Sequence, residues 1–168
     1  MNYATIKPYD IANGPGVRVS LFVSGCTHRC KDCFNQEAWD FDYGKPFDET
    51  AMEEILGYLQ PGYIRGITYL GGEPMDPRNQ AGLLELSRKI KERYPEKSIW
   101  CFTGYVWDRI PRVPDVTEVL IGLCDVIVDG PFVMEKKNLN LRFRGSENQR
   151  LIDVPKTLAE GRVVLWDE

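Results

Sequence analysis

Residues 25–35, GCTHRCKDCFN, hold three of the chain's five cysteines, Cys26, Cys30 and Cys33, with its single histidine, His28, between the first two. Thiolate sulfur is a soft donor, suited to zinc or to iron–sulfur clusters. The C-x3-C-x2-C spacing is too crowded for a disulfide framework. It also differs from the C-x2-C pairs that structural zinc sites use twice. Two metal readings remain. In one, His28 completes a zinc site in a non-catalytic binding module. In the other, the three thiolates hold three irons of a 4Fe-4S cluster and the fourth iron has no protein ligand. His28 is badly placed for a fourth tetrahedral position so soon after Cys26, and is expected as a solvated loop residue. An open coordination position is what separates a reactive metal site from a closed structural one, whereas an electron-carrying ferredoxin closes its cluster with four cysteines.

The elements that must carry this loop are legible in the periodicity. Residues 17–23 (VRVSLFV) follow the turn-forming Asn13-Gly14-Pro15-Gly16 and read as a buried strand that runs directly into the cysteine loop. NGPG lacks the lysine and spacing of a phosphate-binding loop and is taken as the turn that launches this strand. A helix is expected over 50–59, with Thr50 and Glu53 as a capping box and Met52, Ile55, Leu56 and Leu59 as its apolar stripe. Strands at 66–70, 98–102 and 125–128 alternate with helices at 81–94 and 116–123, which implies parallel pairing through right-handed crossovers. Beyond Gly130 the pattern weakens to two possible short strands, at 141–144 and 162–166.

The unusual residues fall at equivalent places. Gly25-Cys26, Gly71-Gly72-Glu73-Pro74, Thr103-Gly104 and Asp129-Gly130-Pro131 each follow a predicted strand. Ligands bind at the carboxyl edge of parallel strands in both barrels and open sheets, so these loops are expected to line one cavity. A closed eight-fold barrel takes about 250 residues. This chain has 168, so the expected fold is α/β, a partial (open) β/α barrel with mainly parallel strands; a small doubly wound sheet is the alternative.

Composition narrows the class. A chain of 168 residues with 43% hydrophobic content is expected as a single domain, 1–168. Its formal net charge of −4 argues against a nucleic-acid partner, which would call for a basic face. There is no apolar run of about 18 residues for a membrane span and no basic-then-apolar N-terminal signal, so a cytoplasmic protein is expected. Reduced cytosolic thiols favour metal or redox chemistry over disulfides. Cys101 and Cys124 are read as small buried hydrophobes, and Trp100, Phe102, Trp107 and Trp166 as packing residues.

The cysteine motif followed by Phe34, together with Gly71-Gly72-Glu73-Pro74 after the next strand, resembles the radical S-adenosylmethionine superfamily. NGPGVR at 13–18, WCFTGY at 100–105, Val128-Asp129-Gly130 and RGSENQ at 144–149 are similar to the narrower family of anaerobic ribonucleoside-triphosphate reductase activating enzymes, over roughly residues 1–152. Cys101 departs from that family, which more often has a bulky apolar residue there. The resemblance implies cluster ligation by Cys26, Cys30 and Cys33 and chelation of S-adenosylmethionine by the open iron. One-electron cleavage of that sulfonium would give a 5'-deoxyadenosyl radical, which abstracts hydrogen from a glycine of the partner. Asp32, Cys33 and Phe34 are expected beside the bound S-adenosylmethionine, Gly71 and Gly72 to admit it to the backbone, and Glu73 to meet its ammonium group. No residue is assigned as a general acid or base. Thr103 and Asp129 suit ribose or carboxylate contacts, and residues 144–149 suit a docking surface. Partners implied are the large subunit of the anaerobic ribonucleoside-triphosphate reductase and a reduced electron donor such as flavodoxin. An activase of another glycyl-radical enzyme, or a small-molecule radical enzyme, is the alternative within the superfamily.

Overall fold

Val19, Leu21 and Val23 point to one face of a strand and Arg18 and Ser20 to the other, and all five are buried. A strand covered on both faces belongs in the middle of a sheet. In the computed structural model of the chain, which describes residues 1–29 and 36–167, that is where it lies. The strands are β1 (Asn2–Asp10), β2 (Val17–Val23), β3 (Lys45–Pro46), β4 (Ile64–Gly71), β5 (Ser98–Phe102), β6 (Val126–Asp129) and β7 (Arg150–Asp153). They form one open seven-stranded sheet in the order β3-β1-β2-β4-β5-β6-β7. The central strands β2, β4, β5 and β6 are parallel, as the alternation requires, while β1, β3 and β7 add antiparallel edges. The sheet is mixed, mostly parallel in its middle, and does not close.

The register puts Val19 beside Ile67, Ile67 beside Ile99, and Cys101 beside Ile127. This apolar face is covered by four helices, α1 (Glu49–Leu59), α2 (Pro77–Arg93), α3 (Thr117–Leu123) and α4 (Val154–Glu160). Met52, Ile55, Leu56 and Leu59 of α1 are buried against it, as their spacing predicts. A doubly wound sheet carries helices on both faces. Here the opposite face is covered by aromatic side chains: Trp100 packs edge-on against Trp166 at 5.0 Å and Phe143 at 5.4 Å.

Several local expectations need correction. The α1 cap is Asp48, whose carboxylate accepts from Ala51 N at 2.9 Å; the helix starts at Glu49, so Thr50 already lies in its first turn and the Thr50–Glu53 box does not form. Residues 141–144 are not a strand. Phe143 sits at φ 63°, a left-handed conformation incompatible with an extended run. The segment 162–166 contributes only an isolated bridge, Leu165 to Ile152. Cys101 and Cys124 are buried as expected. No helix of the described residues is long and apolar enough to cross a membrane.

The amino-terminal end of the parallel strands is closed by Arg18. Its guanidinium lies under the NGPG turn and donates to Thr68 Oγ1, Ser98 Oγ and the carbonyls of Pro15, Ile67 and Ser98, while stacking toward Trp100. Burial pushes its pKa down to about 10, partly offset by Asp125, so it stays charged at neutral pH. Arg18→Ala removes these bonds and opens a cavity against Trp100. We expect a loss of roughly 3 kcal/mol in chemical denaturation of the cluster-free protein.

Candidate active site

At the opposite end, the loops after β2, β4, β5 and β6 meet around a cleft of about 210 Å3. Cys26, Gly71, Gly72, Glu73, Thr103, Gly104 and Gly130 all line it, so the four loops predicted to converge do so. Phe102, Phe132 and Gln149 form its far wall.

Backbone pairing carries β2 and β4 past their ends. Gly72 N donates to Val23 O at 2.8 Å and Glu73 N to Gly25 O at 2.7 Å, which lays the GGEP turn against the start of the cysteine loop. A Cβ on Gly72 would sit 2.6 Å from Gly25 O, and Gly71 stands at φ +105°; both positions therefore need glycine. The cysteine loop is stitched at its far side too, where Gly25 N and Cys26 N donate to the carbonyls of Ala38 and Trp39. Those two residues belong to a short 3-10 turn, Gln36–Trp39. Cys30, Asp32, Cys33 and Phe34 lie outside the described residues.

Glu73 is the electrostatic centre. It is 1% exposed, yet each carboxylate oxygen has two partners. Oε2 accepts from Met75 N and from Thr103 Oγ1, both at 2.7 Å. Oε1 accepts from Gly104 N at 2.6 Å and lies 2.6 Å from His28 Nε2. A carboxylate only accepts, so the histidine proton facing it is on Nε2. His28 is therefore not the solvated residue its loop position suggested. It packs edge-on against Tyr105 with ring centroids 4.3 Å apart, and it ties the cysteine loop to the ends of β4 and β5. The bond to Glu73 takes Nε2 out of metal ligation and leaves only Nδ1 for it. Burial raises the Tyr105 phenol above its usual pKa.

Asp129, buried at the end of β6, receives Nε and Nη2 of Arg150 and the amide of Trp107. The hydrogen bond to Asp129 raises the Arg150 pKa. Thr103 spends its hydroxyl on Glu73. In the 144–149 stretch, Gln149 accepts from the amides of Gly145 and Ser146 and donates to Gly130 O, so this segment is folded tightly against the cleft wall. Arg144 donates to the carbonyls of Glu147 and Gln149.

Trp39 carried no signal in the sequence. It borders the cleft, and it also borders a second groove of about 660 Å3 on the outer side of the cysteine loop; Cys26 lines both. Its indole Nε1 is buried and has no hydrogen-bond partner among the described residues. A soft sulfur donor at Cys26, lining the same cleft as a glycine-backed turn, suits an iron–sulfur cluster.

Comparison with known proteins agrees with this chemistry. A family model described as a 4Fe-4S single cluster domain matches residues 12–152. The chain is 40% identical over 151 residues to the anaerobic ribonucleoside-triphosphate reductase-activating protein of Vibrio cholerae, spanning 89% of this chain and 96% of that protein. It is 40% identical over 153 residues to the phage T4 protein of the same name, covering 90% and 93% of the two chains. The Escherichia coli K12 relative, also so named, is 40% identical over 151 residues, or 89% and 96%. The chain belongs to the anaerobic ribonucleoside-triphosphate reductase-activating protein family. The matched residues take in β2, β4, β5 and β6, the strands whose carboxyl ends build the cleft.

Two substitutions test the site without any cofactor. In Glu73→Gln the new NH2 must face either Met75 N or Gly104 N, since neither amide can reverse its role. We expect cluster-free stability to fall by about 1–3 kcal/mol, read by denaturant titration; a carboxylate serving only a ligand would leave it unchanged. Gly72→Ala drives a methyl into Gly25 O and should displace the cysteine loop. The expected outcome is iron and acid-labile sulfide loading reduced at least severalfold in anaerobic reconstitution.

Proposed function

We propose that this protein is the activase of an anaerobic ribonucleoside-triphosphate reductase, a radical S-adenosylmethionine enzyme that installs a glycyl radical on the large subunit of that reductase. The observation that carries this reading is the meeting of Cys26 with the Gly71-Gly72-Glu73 turn at one cleft, in a chain 40% identical along nearly its whole length to proteins bearing that name. When bound, a 4Fe-4S cluster and S-adenosylmethionine supply one-electron reductive cleavage of the sulfonium, and with it hydrogen-atom abstraction from a glycine.

The chain's own residues hold and shield. Cys26, Cys30 and Cys33 are the proposed iron ligands. Gly71 and Gly72 let the backbone come close to S-adenosylmethionine, with Asp32, Cys33 and Phe34 on its other side. Glu73, with its four bonds within the protein, fixes the shape of that wall and turns its charge toward the ammonium group. Phe102 and Phe132 exclude water from the cleft, as a reactive carbon radical requires. Residues 144–149 form the rim over which the reductase would dock.

The one-sided helix layer supports an open partial barrel, and we take 1–168 as one radical S-adenosylmethionine domain. The acidic balance and the thiolate chemistry favour a cytoplasmic protein reduced by a carrier such as flavodoxin, with neither nucleic acid nor membrane as partner.

The test is anaerobic reconstitution with iron and sulfide, reduction, and addition of S-adenosylmethionine with the reductase. The expected products are 5'-deoxyadenosine and a glycyl-radical doublet on the reductase by electron paramagnetic resonance. Cys26→Ala should abolish both, by at least a hundredfold. A fully loaded cluster that forms neither would overturn the proposal.

A further inference from the structure

A carboxylate offers about four lone-pair positions to donors, and Glu73 already has four donors on it: Met75 N and Thr103 Oγ1 at Oε2, Gly104 N and His28 Nε2 at Oε1. A further donor that binds this group, such as an ammonium, therefore has to displace one of them. Met75 N and Gly104 N are main-chain amides fixed by the fold. Thr103 is 4% exposed, and its hydroxyl oxygen also accepts from Tyr105 N at 3.1 Å. Only His28 can leave by turning its own side chain. That side chain is 17% exposed and lines the cleft. Its ring lies over Gly104, where a Cβ would come within 2.7 Å of it. Among the described residues, the backbone of 27–29 makes no hydrogen bond to another backbone group, so little besides the Glu73 bond and the Tyr105 contact holds the imidazole in place.

We propose that His28 occupies the ammonium subsite of S-adenosylmethionine in the unliganded protein, and that its Nε2–H leaves Glu73 Oε1 when that ammonium arrives. This rests on the functional reading above, in which Glu73 meets the ammonium group. A buried carboxylate short of a donor is destabilising, so the imidazole compensates Glu73 until the ligand brings an N–H of its own. One N–H donor replaces another at Oε1, and no proton is transferred. Because the subsite is open only in the fraction of molecules whose imidazole has turned away, His28 lowers the apparent affinity for S-adenosylmethionine by that fraction.

Two measurements decide it, both on the full-length chain loaded with its cluster and kept oxidised, so that S-adenosylmethionine binds without being cleaved. His28→Ala empties the place at Oε1. By titration calorimetry the variant should bind S-adenosylmethionine about three- to tenfold more tightly than the parent. A purely structural role for His28 predicts the opposite sign, since a loosened cysteine loop weakens binding. The second measurement uses the fact that His28 is the chain's only histidine. Protein grown with 15N-histidine carries a single labelled ring. Its Nε2–H should give a downfield, slowly exchanging magnetic resonance signal before S-adenosylmethionine is added and lose that signal at saturation.

A loaded His28→Ala variant with unchanged or weaker affinity would sink the inference. So would an Nε2–H signal that is missing at the outset or that persists at saturation. If the variant does not load its cluster, the labelled parent decides alone. A loaded parent that binds no S-adenosylmethionine would instead overturn the functional reading on which this rests.

Discussion

A carboxylate at 1% exposure is tolerable only if the protein supplies donors for it, and Glu73 recruits them from three separate loops. Met75 N belongs to its own turn, Thr103 and Gly104 to the end of β5, and His28 to the cysteine loop. Each bond to a charged group contributes about 1.5–3 kcal/mol, and whole domains are stable by about 5–15 kcal/mol. The knot at Glu73 is thus large on the scale of the fold. Loops joined to strands are normally the loosest part of a structure. Here the first half of the metal loop is held by the His28–Glu73 hydrogen bond, an aromatic contact and three backbone bonds before any metal arrives. Preorganisation of this kind lowers the cost of ordering the loop when its ligand binds.

The same sheet has two chemically different ends because its polar residues are sorted along the strands. At the amino-terminal end, Arg18 spends its guanidinium on hydroxyls and carbonyls of β4 and β5 and seals the space beneath NGPG. At the carboxyl end, Glu73 collects donors and leaves a cleft. Between them lie Trp100, Phe143 and Trp166, an apolar plug on the face that carries no helices. A positive group at the closed end and a negative one at the open end are both buried and both saturated. The cleft is lined mainly by glycine backbone, Cys26 and aromatic surface, beside polar side chains such as Thr103 and Gln149 that are already bonded within the chain. That composition suits a site that must hold a reactive species while offering it few polar hydrogens.

The parallel core was legible because its strands are buried on both faces and its helices on one, which gives each a clear period. β2 and β5 have the ranges expected from sequence, and β4 and β6 differ by one or two residues at their ends. The edges were not legible. β1, NYATIKPYD, is half-exposed along its length and contains Pro8, so neither alternation nor composition marks it. β7 has four residues and exists through its pairing with β6. At the site, sequence proximity identified the cysteines and the GGEP turn, because their chemistry is local. It failed for His28, whose partner is 45 residues away, and for Trp39, which closes the cysteine loop through its backbone carbonyl.

This contrast separates the polar groups of the site by what they serve. Glu73, Thr103, Asp129 and Gln149 all spend their hydrogen-bonding capacity on other parts of the chain, so their substitution acts first on the scaffold. Trp39 stands apart, with a buried donor that the described protein does not satisfy. Its carbonyl does bond within the chain, accepting from Cys26 N and closing the cysteine loop. The polar groups around the cleft thus hold the first part of the metal loop through bonds inside the chain, and a ligand that binds there stabilises the fold that these bonds preform, since binding to the native state and native stability are linked.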